Sequence, residues 1–126
     1  LRRRWVQGED ASFAMRWEDW YRKERNQRIF WLAEVDGTPV GTTNLMLFSR
    51  MPRPGGPSGA WGYLANMFVV EEHRDNGVGR ALLEALLDHA RSLQLERIVL
   101  SPTTRSIPFY RRAGFAPAAD LLLLRL

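Results

Sequence analysis

Apolar and polar positions along the chain alternate between two periods. Phe13, Trp17, Trp20 and Tyr21 recur at spacings of three and four, with Glu24 continuing the series. That spacing predicts a helix over residues 11–27, with Asp10 or Ser12 as its cap. Residues 29–35 and 40–48 read as strands, and Asp36-Gly37-Thr38-Pro39 between them reads as the turn of a hairpin. Residues 49–59 hold three prolines and three glycines, so they form a loop, plain or lid-like. A third strand follows over 61–70. Leu82, Leu83, Leu86, Leu87 and Ala90 then make the core stripe of a helix from about 78 to 93. A short strand is expected at 96–100, ended by Pro102. A short helix is expected at about 106–113, because Pro108 suits only a first turn, and Gly114 supplies its C-terminal cap. Phe115 and residues 121–126 are expected to give one or two final strands. Strand, helix and strand around residues 61–100 imply a parallel crossover, and the hairpin implies antiparallel pairing. The sheet should therefore be mixed.

The turn between the third strand and the long helix carries the chemistry. It reads Val69-Val70-Glu71-Glu72-His73-Arg74-Asp75-Asn76-Gly77-Val78-Gly79-Arg80. A glycine-bearing turn from strand to helix leaves backbone N–H groups free at the helix N-terminus, which suits a phosphate. Arg74 and Arg80 add positive charge.

Composition narrows the classes. The chain has 126 residues, 45% of them hydrophobic and 25% charged, a globular balance sized for one domain. It has no cysteine, which excludes disulfides and a cysteine nucleophile and fits a cytoplasmic setting. No apolar run is long enough for a membrane helix. The net charge of +4 is almost wholly arginine. A nucleic-acid partner is not expected, since the basic run Arg2-Arg3-Arg4 lacks interleaved aromatics. A Rossmann-type dinucleotide site ranks last, because Gly77-x-Gly79 falls late in the chain and lacks a third glycine.

Two blocks resemble the GNAT N-acetyltransferase superfamily. The first is Arg74-Asp75-Asn76-Gly77-Val78-Gly79, matching the family's acetyl-CoA pyrophosphate motif. The second is Phe109-Tyr110-Arg111-Arg112-Ala113-Gly114-Phe115, matching its later aromatic block. The hairpin Leu32 to Gly41 is similar to the family's second and third strands. The resemblance covers residues 30–115. It implies an α/β (α+β) fold, a GNAT-like acyl-CoA N-acyltransferase domain over 1–126 with a central mixed, mostly antiparallel sheet flanked by helices. The family's first strand is expected to be missing from this chain. The family often has Pro where Glu71 stands and Gly where Asp75 stands. Many members carry an acidic residue near Ala65 and Asn66, where this chain has none.

The resemblance implies transfer of the acetyl group of acetyl-CoA to a primary amine of a small molecule, protein or peptide, by direct attack on the thioester. The alternative is a CoA-binding module without catalysis. Acetyl-CoA is implied as co-substrate, with no metal: His73 and His89 lack metal-ligand spacing with a second ligand. Met67, Phe68 and Val69 would line the pantetheine arm. Arg74, Asp75, Asn76, Gly77, Val78, Gly79 and Arg80 would hold the pyrophosphate, and Phe109, Tyr110 and Arg112 would close the donor site. Tyr110 is the candidate acid for the leaving thiolate, since a phenol with a pKa of about 10 is protonated at neutral pH. Asn66 is the second catalytic candidate, orienting water or substrate. The general base is not visible. Glu34, Glu71 and Glu72 read as surface charges. Trp17 and Trp20 read as core residues that also stand where the family's acceptor site is walled, which would suit an apolar or cationic amine. A homodimer is open.

Overall fold

The computed structural model describes every residue except Gln7, Glu9, Pro57 and Ser58. The loop expected at 49–59 therefore lies partly outside the described residues. The element order is α1 (Arg2–Trp5), α2 (Phe13–Glu24), β1 (Arg28–Val35), β2 (Thr38–Ser49), β3 (Ala60–Val69), α3 (Val78–Ser92), β4 (Ile98–Val99) and α4 (Ile107–Arg112). Single 3₁₀ turns at Glu71–His73 and Thr104–Ser106 precede α3 and α4.

The strands form one mixed sheet in the order β1-β2-β3-β4. The first two pairings are antiparallel and the last is parallel. Asp36 and Gly37, both at positive φ, turn β1 into β2. The leucine stripe of α3 covers the sheet: Leu83, Leu86 and Ala90 pack with Leu45, Leu64 and Tyr110. A smaller apolar cluster, Val40, Phe68 and Val70, takes in Trp5 and Val78 at the other end. No helix among the described residues is long and apolar enough to cross a membrane.

One expectation holds over a shorter span and another fails. The strand expected at 96–100 pairs over Ile98 and Val99 alone. The final strands expected from Phe115 and from residues 121–126 do not form. A strand exists by pairing, and no sheet hydrogen bond reaches residues 116–126 among those described. Leu122 and Leu126 are fully exposed. Phe115 belongs instead to the end of α4. There Gly114, at φ +103, donates to Arg111 O, and Phe115 N donates to Tyr110 O. This is a Schellman closure, and it lays Phe115 edge-on against Tyr110 at 5.6 Å.

β3 carries the decisive irregularity. Thr42 pairs with Phe68 and Asn44 with Ala65, so Thr43 alone faces both Asn66 and Met67. Asn66 sits at φ +58. One extra residue, the first of the pair left-handed, is a bulge of the type usually built on glycine, and asparagine is among the few other residues that tolerate that conformation.

Candidate active site

The bulge stands where two cavities meet. The first, about 860 Å³, lies among α1, α2, β1 and β2. The second, about 840 Å³, runs from β3 past the start of α3 to α4. Trp5 and Asn66 line both. Trp5 is held there by stacking on Phe68, with ring centres 5.4 Å apart and planes at 14°.

The second cavity ends at the N-terminus of α3. Gly77 caps that helix at φ +82 with no side-chain cap bond. A Cβ at Gly77 would meet nothing within 4 Å, so its backbone conformation, and not crowding, calls for glycine there. Gly79 differs: a Cβ there would touch Phe109 at 3.6 Å and Val69 at 3.7 Å, so any larger side chain would fill the cleft. Ala81 N makes the first helical bond, to Gly77 O, which leaves the N–H groups of Val78, Gly79 and Arg80 at the exposed helix start. Asp75 is left-handed too, at φ +62, which accounts for glycine being common at this place in the motif.

Charge gathers at the same end. Arg74, Arg80, Arg105 and Arg112 line the cavity, and Asp75 is its one carboxylate among the described lining. Arg74 is fixed by donating from Nε to Val69 O at 2.9 Å. Arg80 is turned along the helix toward Glu84, 2.8 Å away.

Tyr110 lines the cavity from α4 and is 7% exposed. Burial pushes its phenol above the ordinary tyrosine value. It is therefore a neutral O–H group through the whole neutral range, and no hydrogen bond to another described residue engages it. The Schellman closure by Gly114 and Phe115 fixes the turn that carries it.

Asn66 is oriented by a chain of donors. Arg28 Nε donates to Glu24 at 2.8 Å, and Arg28 Nη1 donates to Asn44 Oδ1 at 2.9 Å. Asn44 Nδ2 donates to Asn66 Oδ1 at 3.0 Å. A guanidinium can only donate, so it forces the oxygen of Asn44 toward itself. The amide nitrogen of Asn44 must then face Asn66, whose own nitrogen is left to donate into the cavities. A cation at the head of such a chain polarises every donor after it.

The structure thus brings Asn66, Met67, Phe68, Val69, Arg74, Asp75, Gly77, Gly79, Arg80, Phe109, Tyr110 and Arg112 to one cleft. Asn76 and Val78 do not line it. The Val78 side chain packs into the apolar cluster around Phe68, because the first turn of α3 faces β2 on that side. Sequence reasoning missed Trp5, Arg105 and the Arg28–Asn44 pair. The pairing depends on which residues β1 and β2 bring together, and no local signal carries it. Trp17 and Trp20, expected as core, wall the first cavity, and Trp17 is 41% exposed.

A mixed sheet with a phosphate-type turn after a bulged strand defines a class, and the family comparison agrees: residues 2–115 match the model of the Acetyltransferase (GNAT) family, and the chain belongs to it. A curated relative, glucosamine 6-phosphate N-acetyltransferase of Trypanosoma brucei brucei, is 32% identical over 79 residues. That match covers 63% of this chain and 52% of the relative, so the matched part is about half of the relative's length. Among solved structures, one described as a "putative acetyltransferase" of Agrobacterium tumefaciens superposes with a TM-score of 0.82 at 16% identity, covering 100% of this chain and 89% of that one. A "predicted acetyltransferase" of Clostridium acetobutylicum, solved with acetyl-CoA, gives 0.73 at 21% identity, over 97% and 80% of the two chains. At these identities the likeness to solved structures is one of fold.

Proposed function

We propose that the protein transfers the acetyl group of acetyl-CoA to a primary amine by direct attack on the thioester. The observation that carries this reading is the meeting of two cavities at Asn66, one with a phosphate-type floor and one walled by aromatics. Residues of the second cavity suit the donor. N–H groups at the start of α3 donate to a pyrophosphate, with Asn76 and Val78 contributing through the main chain. Arg105 and Arg112 add charge to the cavity's lining. Met67, Phe68 and Val69 flank the pantetheine arm.

Membership of the family and the acetyl-CoA bound in the Clostridium acetobutylicum relative both support the donor. At the reacting centre, Asn66 Nδ2 donates to the thioester oxygen as negative charge develops on it. The amine nitrogen forms the new bond to carbon and the sulfur leaves with its electron pair. Tyr110 gives that sulfur a proton, and the proton that the nitrogen sheds once it is bonded to carbon passes through water and restores the phenol. No carboxylate lines the first cavity among the described residues, so the amine must arrive neutral or lose its proton to water.

That same absence of a titratable base favours a second reading, a CoA-binding module without catalysis. The experiment that separates them is an acceptor screen with acetyl-CoA, reading CoA release and acetylated product by mass spectrometry. Glucosamine 6-phosphate belongs in the screen because a relative bears its name. Product from any amine supports transfer. Calorimetric binding of acetyl-CoA with no product from any acceptor supports the second reading, and no binding refutes both.

A further inference from the structure

We propose that the first cavity takes an amine borne on a flat, apolar body that also carries an anionic group, a carboxylate or a phosphate. This rests on the acetyl-transfer reading and adds the acceptor class to it. The walls are aromatic: Trp17 lies parallel to Tyr21 at 5.3 Å, and Trp20 meets Phe30 edge-on at 5.9 Å. Such surfaces bind flat groups by stacking and area burial.

Aromatic faces can also hold a ligand's cation, but here arginines of the chain already occupy three of them. The guanidinium of Arg2 lies 4.6 Å from the centre of the Trp5 ring, that of Arg3 lies 5.4 Å from Phe13, and that of Arg28 lies 5.3 Å from Trp20. Arg2 and Arg3 themselves line the cavity, and no described lining residue is acidic. Three carboxylates on the flanking elements are engaged: Glu24 by Arg28, Asp10 by Arg16 and Glu72 by Arg4. Among the described lining residues a ligand ammonium group finds no counter-ion, while a ligand anion meets two guanidiniums.

The same charge arrangement bears on the absent base. Only a neutral amine can attack, and nearby cations disfavour the ammonium form. The amine end is therefore held toward Asn66 and the anionic end toward Arg2 and Arg3. Asn66 Oδ1 already accepts from Asn44, and its neutral amide brings no charge to offset an ammonium group.

The test compares four acceptors under acetyl-CoA: phenethylamine, its carboxylate analogue phenylalanine, a phosphate analogue, O-phosphotyramine, and spermidine. The two acid-bearing arms show which anion is preferred. At least one of them is expected to exceed phenethylamine roughly tenfold in kcat/KM, with spermidine poorest, and the preference should shrink in high salt. In an Arg2→Glu/Arg3→Glu variant the preference should vanish while acetyl-CoA affinity stays within about twofold. Spermidine as best substrate, an acid-bearing amine no better than phenethylamine, or a preference that survives the double substitution would each overturn the inference. Tryptophan fluorescence titrations without acetyl-CoA separate this inference from the transfer reading. Tighter binding of an acid-bearing amine without turnover would keep the acceptor class and remove the chemistry. Turnover of spermidine alone would do the reverse. Neither turnover nor preferential binding would end the inference.

Discussion

Arg28 Nη1 donates to Asn44 Oδ1 at 2.9 Å, and that bond decides which way two amides face. Asn44 is 4% exposed, so it cannot turn to water for a replacement partner. The direction of Asn66 is therefore set by a cation on a different strand.

If Asn66 donates to the reacting oxygen, removing its amide should slow turnover without disturbing donor binding. Asn66→Gly keeps the left-handed backbone and deletes the donor. It should lower kcat roughly 100-fold, in line with loss of one oxyanion donor, with acetyl-CoA affinity nearly unchanged. Arg28→Met should lower kcat as well, and leaving Asn44 without its partner should cost about 1–3 kcal/mol in chemical denaturation. Full activity in Asn66→Gly would exclude the role.

Tyr110→Phe should reduce kcat by roughly 100-fold while calorimetry shows acetyl-CoA affinity within about threefold of the parent. Burial raises the phenol above its ordinary value, so the O–H form persists to high pH. Two effects share one sign. The alkaline limb of kcat should lie above about pH 10 and be absent in Tyr110→Phe. The stability contributed by the neutral buried phenol is present below the unfolded-state value and is lost as pH rises through the folded one.

Asp75 places a carboxylate in a cleft otherwise lined by arginine. Asp75→Asn keeps a residue that tolerates positive φ and removes the charge. Acetyl-CoA should bind more tightly, by roughly threefold to tenfold, and the difference should narrow as salt is raised. The helix loses a negative charge near its N-terminus in the same substitution, so stability should fall by about 0.3–1 kcal/mol. By contrast Gly79→Glu, which fills the cleft against Phe109, should abolish acetyl-CoA binding with the circular dichroism spectrum unchanged.

Glu24 is held below the usual carboxylate range, first by its hydrogen bond from Arg28. Its contribution to stability is therefore present above the unfolded-state value and is lost as pH falls through the lower folded one. Urea midpoints measured downward from pH 5 should drop in this acid window, and Glu24→Gln should flatten the drop. An identical acid profile in the variant would show that Arg28 is anchored by something else.

Much of the fold is legible in the residues because it is periodic. The stripe Leu82, Leu83, Leu86 and Ala90 predicts a helix face, and that face is buried. Gly77 and Gly79 mark the turn that starts the helix. What escapes is whatever depends on pairing. Residues 121–126 are rich in leucine, yet apolar character makes a strand only when a neighbour accepts its hydrogen bonds. The Arg28–Asn44 bond joins residues 16 apart that are diagonal neighbours across β1 and β2, so it depends on the register of the two strands. At Trp17 and Trp20 the spacing identified a helix but not whether its aromatic face would meet a core or a cavity.

The bulge at Asn66 has one more consequence, a change of phase. Leu64, before it, packs with Leu83 and Leu86, and Met67, an odd number of positions later, packs against that same cluster. Phe68 goes to the other cluster, with Val40 and Trp5. Without the inserted residue, Met67 and Phe68 would exchange sides. A single amino acid thus lets one strand serve two apolar neighbourhoods, and the seam between them falls at the residue assigned here to the reacting oxygen.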